Sequence, residues 1–313
     1  MIRLIPDDTA YKFMHHRRWS FPLSALLLVG SLVMFGINGL NLGIDFRGGT
    51  LIEIQTTDGP ADIGNIRQAV GSLNFGDVEV QEFGSPTEVL IRVEQQDGGE
   101  TAQQNVIAKV RQVLGEDNIN YRRVEVVGPR VSGELTRTGI IAVLSALFAV
   151  LVYIWFRFEW QFAVGAVLAT MHDVILTIGM FAVLQLDFNL ASIAAILTIV
   201  GYSLNDTVVV YDRIRETLRK YKKRPLAELL DVAINQTLSR TVLTSVTTLL
   251  ALGSLFFFGG EVIRSFTFAM IWGVFVGTYS SVFMAAPLLI FLKLRPQQLH
   301  DEEDGDTVGA GSV

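Results

Sequence analysis

Long apolar runs, each near the roughly 20 residues that a membrane-crossing helix needs, recur along the chain. The first extends from Phe21 to Leu40. Nothing comparable follows until residue 138. Five more then come in close succession, over 138–156, 160–184, 189–211, 240–259 and 265–292. The pattern predicts six transmembrane helices with one soluble insertion, residues 41–137, between the first and second. A signal peptide is the rival reading of the first run, because His15, His16, Arg17 and Arg18 precede it. The run is long, however, and its exit, Asn38-Gly39-Leu40-Asn41, has no small-x-small cleavage pattern.

Within the insertion the period changes. Residues 51–57 alternate as a strand does, with Leu51, Glu53 and Gln55 on one face and Ile52 and Ile54 on the other. Pro60 suits a helix start, and Ile63, Ile66, Val70 and Leu73 form one helical stripe. Strands over 78–83 and 89–94 follow, separated by Gly84-Ser85-Pro86. A second helix carries Ala102, Val106, Val110 and Val113 and stops at Gly115, and a last strand spans 119–127. The order β-α-β-β-α-β is that of a ferredoxin-like unit. The fold class expected is therefore a membrane all-α bundle of six helices with a small α+β external domain.

Basic residues set the orientation. With the N-terminus (1–20) inside, the cytoplasmic segments hold Arg3, Lys12, Arg17, Arg18 and Arg157. They also hold a dense loop, 212–239, with Arg213, Arg215, Arg219, Lys220, Lys222, Lys223 and Arg224, and later Lys293 and Arg295. The short outer loops near Asp187 and over 259–265 contain only Arg264. The insertion then lies outside, in a bacterial periplasm or its equivalent, and both termini are cytoplasmic.

Composition adds exclusions. Half of the 313 residues are hydrophobic and 18% are charged, against about 25% charged in average soluble chains. The net charge of −6 argues against nucleic acid as a partner. Most of that excess is a solvated tail, since five of the 31 acids lie between Asp301 and Asp306 in the acidic cytoplasmic segment 293–313. With no cysteine and four histidines, neither a thiolate nor a histidine-rich metal site is expected. No glycine-rich loop has the spacing that cradles a phosphate. The expectation is a non-enzyme without metal or cofactor.

Ionisable residues inside spans are costly, and functional candidates by default. His172-Asp173 lies in the third run, Asn205-Asp206 in the fourth, and Arg240 opens the fifth. Asp206 precedes Asp212 by six residues, about 9 Å at the helical rise, and Arg240 enters the same leaflet. Such a pair could neutralise each other and exchange partners on protonation. The plainer readings are that Arg240 snorkels to the headgroups, and that Asn205, Thr207 or Ser203 pins Asp206. His172-Asp173 reads as a satisfied structural pair, and Gly273 and Gly277 as packing residues. An intramembrane aspartyl protease would need Asp173 beside Asp206, whereas their estimated depths differ by about 10 Å.

Several stretches together resemble one family. Gly39-Leu40-Asn41-Leu42-Gly43-Ile44-Asp45-Phe46-Arg47-Gly48-Gly49-Thr50 resembles the signature opening the external domain of SecD/SecF proteins, with Gly43, Asp45, Phe46, Gly48 and Gly49 as motif positions. Residues 201–216 resemble that family's fourth-span motif. Gln236-Thr237-Leu238-Ser239-Arg240-Thr241, with Thr244-Ser245, resembles the start of its fifth span. The likeness runs from about residue 15 to 295, and six spans with one small external domain fit the SecF side of the family. The resemblance implies a bacterial inner-membrane protein of the RND superfamily. Its implied partners are a SecD-like subunit, the SecYEG channel, YajC as a further associate, and exported unfolded polypeptide. It also implies use of the proton-motive force in late, ATP-independent export, with Asp206 and Arg240 as the proton relay and Asn205, His172 and Asp173 in support. The rivals are half of an RND-type small-molecule exporter and a non-transporting scaffold.

Overall fold

A computed structural model describes residues 9–116, 118–221 and 224–294. Arg3, Lys222, Lys223, Arg295 and the acidic tail lie outside the described residues. Among the described residues, six helices are long and apolar enough to cross a membrane. They are α1 (Arg17–Asn38), α5 (Pro129–Arg157), α6 (Trp160–Leu184), α7 (Leu190–Lys220), α8 (Leu226–Phe258) and the broken helix α9 (Arg264–Ser280) to α10 (Ala286–Phe291). The two halves of the broken helix are joined by a π-helical turn, Ser281–Ala285. Helix α6 and the broken helix are the most enclosed, while α1, α5 and α8 are largely uncovered.

The segment 212–239, expected as a loop, is mostly helical. Beyond the apolar run of α7, Ile214 and Leu218 continue at helical spacing, and Leu229, Leu230, Ala233 and Ile234 do the same at the start of α8. These six bury together with Phe158, Phe162 and Tyr211 in one cluster. Charges such as Arg213 occupy the other face, so the segment is amphipathic and a run of apolar residues does not reveal it. Helix α5 likewise starts earlier than residue 138, at Pro129, where proline fits the first turn.

The external unit is a four-stranded antiparallel sheet of β1 (Gly49–Thr56), β2 (Val78–Phe83), β3 (Ser85–Val93) and β4 (Ile119–Val127). Its strand order is β2-β3-β1-β4, with α3 (Ile63–Gly71) and α4 (Gly99–Leu114) on one face. This is the ferredoxin-like arrangement. Two boundaries move. The turn closes on Gly84 alone, so Ser85 and Pro86 belong to β3. Helix α3 starts after Asp62, whose carboxylate caps the Asn65 N–H at 3.0 Å, and not at Pro60. Ile52, Ile54, Val70, Val89, Ile91, Val106 and Val110 form the core, each burial contributing about 1.5–3 kcal/mol. The opposite face of β1 is covered too. Leu51 packs there with Leu90 and with Ile44 of the one-turn helix α2 (Ile44–Arg47).

Candidate functional site: two carboxylates inside the bundle

Helices α6, α7, α8 and the broken helix converge on two buried aspartates. Asp206 of α7 is 7% exposed. It accepts a hydrogen bond from the Thr241 hydroxyl of α8 at 2.7 Å and from the Ser281 hydroxyl at 2.5 Å. Asp173 of α6 is fully buried. It accepts from Ser203 of α7 at 2.5 Å and from Ser280 at 2.6 Å, and pairs with His172 Nδ1 at 2.9 Å. His172 Nε2 is buried and has no partner among the described residues, and its ring lies 6.3 Å from that of Tyr279.

Close helix approach makes this network possible. A Cβ at Gly273 would meet the Ile199 side chain, and one at Gly277 would lie 3.2 Å from Ser203 Cβ. The two glycines therefore serve packing, as expected, and they bring Ser280 and Ser281 against α6 and α7. Pro287 breaks the helix just beyond. Lacking an N–H, it leaves the carbonyl four residues back without its helical donor, and Ser20 of α1 donates to that Phe283 carbonyl at 3.2 Å. The buried Tyr211 hydroxyl donates to the Ala285 carbonyl at 3.0 Å. Such π-helical turns recur at functional sites.

The expected partners are partly rearranged. Arg240 is exposed and forms no ion pair with Asp206; the next residue, Thr241, makes the contact instead. Consecutive helical positions point about 100° apart, so both cannot face Asp206 at once. Asn205 is exposed. Ser203 binds Asp173 and not Asp206, and Thr207 Oγ1 is buried with no partner among the described residues. The depth offset of about 10 Å between the aspartates also shrinks. Ser203, which touches Asp173, precedes Asp206 by three residues, about 4.5 Å of helix rise. The carboxylates are nonetheless linked through separate serines and not to each other, which is not the shared-proton contact a protease dyad needs. Ser280 and Ser281 escaped sequence reasoning because small hydroxyls are ordinary in spans. The signal that could have found them is their position six and seven residues before a proline within an apolar run.

A carboxylate held only by hydroxyls has two workable states. As an anion Asp206 accepts from both donors; once protonated, its own O–H can donate to one of them. Changing state therefore rearranges contacts to α8 and to the broken helix together.

The glycine-rich segment after α1 forms a second assembly at the far end of α7. Asp45 accepts from the Leu190 N–H at 2.9 Å, on the first residue of α7, a position that favours an anion. The Gly43 N–H donates to the Phe188 carbonyl at 2.8 Å, and the Phe46 ring packs tilted beside that of Phe188 with ring centres 5.8 Å apart. Gly49 has φ of +114°, and a Cβ there would overlap the Val93 carbonyl. Arg92 of β3, 8% exposed, reaches Asp187 at 2.5 Å. The sheet is thereby docked on the α6–α7 loop.

The family model described as "Protein export membrane protein SecD/SecF, C-terminal" matches residues 106–295. The chain belongs to the SecD/SecF family. A second model, the "SecD/SecF GG Motif", matches residues 33–59, which contain Gly43, Asp45, Phe46, Gly48 and Gly49. Among relatives, the protein translocase subunit SecF of Rhodobacter capsulatus is 44% identical over 318 residues, covering 97% of this chain and 95% of that protein. The protein translocase subunit SecDF of Brucella abortus is 45% identical over 309 residues, covering 99% of this chain and 40% of that protein. The crystal structure of SecDF from Thermus thermophilus superposes with a TM-score of 0.83 at 35% identity, over 93% of this chain and 40% of that one. The chain thus spans about two fifths of the fused SecDF relatives and nearly all of a SecF relative. It is a multi-pass bacterial membrane protein of this family.

Proposed function

We propose that this chain is the SecF-type subunit of an accessory protein translocase. It pairs with a SecD-like subunit at a SecYEG-type channel, and YajC is a further associate. The proton-motive force drives late, ATP-independent movement of unfolded polypeptide outward. The names of the relatives support the translocase role, and nothing on the chain favours a small-molecule exporter. Both termini are cytoplasmic in this reading. The described short connections at the end away from the sheet carry Arg157 and Arg224, while the loops beneath the sheet carry only Arg264.

The observation that carries the mechanism is that one buried carboxylate, Asp206, holds hydroxyls from two other span segments. Proton uptake releases or reverses these bonds. A rotation of α8 by about one residue's angle, roughly 100°, then exchanges Thr241 for Arg240 at the carboxylate, which restores its charge by favouring proton release. Helix α7 carries that motion to Leu190 and Asp45, where the external domain is docked. A proton crossing the membrane gains about 2.3 kcal/mol per 100 mV, so work comes in small repeated strokes.

Export in vesicles holding this chain, its partner and the channel tests the reading. Asp206→Asn should abolish the stimulation by an imposed proton gradient. Wild-type, gradient-dependent export in that variant would overturn it, and stimulation by a sodium gradient alone would replace the proton as the coupling ion.

A further inference from the structure

Helices α1 and α5 both pack on α6. Between them lies a cavity of 530 Å³ whose walls are almost wholly carbon, including Leu32, Phe35, Ile140, Leu144, Ile178 and Ile196. Thr136 offers a hydroxyl, but it is already bonded to the Ser132 carbonyl at 2.9 Å, so little calls for water there. The walls are held apart by contacts that cannot close further. At Gly179 an added Cβ would overlap Ser31 of α1, and at Gly139 one would overlap Ile193 of α7. Each flank is therefore already at its closest approach. Phe46 and Phe188 close the end beneath the sheet. The rims are exposed, Leu32 at 56%, Ile140 at 57% and Leu144 at 61%, so the cavity opens sideways. Beside Thr136, at the sheet-proximal end of the cavity, Arg137 is exposed and unpaired among the described residues.

We propose that this groove is a phospholipid site, with one acyl chain between α1 and α5 and the lipid phosphate on Arg137. Two observations fix the occupant. The groove lies along membrane-spanning helices, where its open side meets hydrocarbon. Arg137, two helical turns before the rim residue Leu144 and so on the same edge of α5, is within side-chain reach of the groove's mouth, and guanidinium groups recognise phosphate by paired hydrogen bonds. The bound chain rests against Phe46 and Phe188, so the site adjoins the docking of the external domain.

The full chain in vesicles of phosphatidylethanolamine and phosphatidylglycerol, with a trace of phosphatidylglycerol bearing a diazirine on its acyl chain, tests this. Irradiation and peptide mapping should place adducts on residues 136–144 and 174–178, in excess over α8, whose exposed Leu250 and Phe257 report ordinary lipid contact. Ile140→Trp, which fills the groove from its rim, should remove that excess. Arg137→Ala should lower it about tenfold, the value of one charge-assisted contact, with recovery in Arg137→Lys. Unlabelled phosphatidylglycerol should compete, and diacylglycerol, which lacks the phosphate, should not. Equal labelling of α5 and α8, or capture in the groove of a segment of another polypeptide, overturns the site. Labelling indifferent to Arg137→Ala overturns the phosphate contact.

Discussion

Ser280 and Ser281, neighbours in sequence, donate to different buried carboxylates, Asp173 at 2.6 Å and Asp206 at 2.5 Å. Neighbouring side chains on a helix diverge, and here the divergence lets one backbone position bridge α6 and α7. The bridge sits where the last span leaves α-helical geometry. A change at either carboxylate is thereby felt at the same point of the broken helix.

Removing the two hydroxyls should have unequal effects. Ser281→Ala takes a donor from Asp206 and should reduce gradient-driven export several-fold while leaving gradient-independent export intact. Ser280→Ala deprives the fully buried Asp173 and should act mainly on stability, by about 1–3 kcal/mol for an under-satisfied buried group. Export assays and thermal unfolding in detergent, run on both variants, separate these outcomes.

Pro287→Ala returns an N–H that can reach the Phe283 carbonyl, in competition with Ser20. The broken helix should straighten and turn Ser280 and Ser281 away from their carboxylates. Slower hydrogen exchange over residues 281–290, together with lost coupling to the gradient, is the expected result.

Docking of the external domain should depend on Arg92 and Asp187 as a unit. Removing one partner of a buried ion pair costs about 3–5 kcal/mol; since Asp187 keeps some exposure, the lower part of that range is expected for Arg92→Ala. The double variant with Asp187→Ala should cost less than the two single changes together. Proteolysis within residues 41–48 is the readout, and it should accelerate in the single variants.

Gly49→Ala should be more damaging than Gly71→Ala. The first forces a side chain into a left-handed backbone and against the Val93 carbonyl, whereas a Cβ at Gly71 meets nothing. A loss of about 1–3 kcal/mol from the backbone conformation alone is expected at Gly49, measured by thermal unfolding of the whole protein.

Alkali should loosen the external domain through Tyr121. Burial raises its phenol above the ordinary value of 10.0, against the lowering influence of Arg111, and the hydroxyl donates to the Gly115 carbonyl at 3.1 Å. The folded protein thus holds this proton more tightly than the unfolded chain. That contribution is complete below pH 10 and is lost as pH climbs through the raised folded value. Tyr121→Phe should remove this part of the alkaline transition followed by circular dichroism.

Much of the architecture was legible in sequence because it is written in local periodicity. Apolar runs of membrane-spanning length marked the spans. Period-two and period-3.6 patterns marked the order β-α-β-β-α-β, and carboxylates inside apolar runs stood out by their cost. Helical extensions such as 212–220 and 226–239 were missed because amphipathic helix and polar loop have similar mean composition.

Six apolar runs, and Asp173, Asp206 and Arg240 as ionisable residues within or at the edge of them, could be read from the sequence. Tertiary structure alone decided that Thr241, and not Arg240, faces Asp206, that Ser280 and Ser281 serve separate aspartates, and that Asp45 and Arg92 fasten the sheet to the α6–α7 loop. The reason is rotational. Hydropathy sets a helix's depth, whereas the direction of each side chain around its axis depends on packing at glycines such as Gly273 and Gly277 and on the break before Pro287.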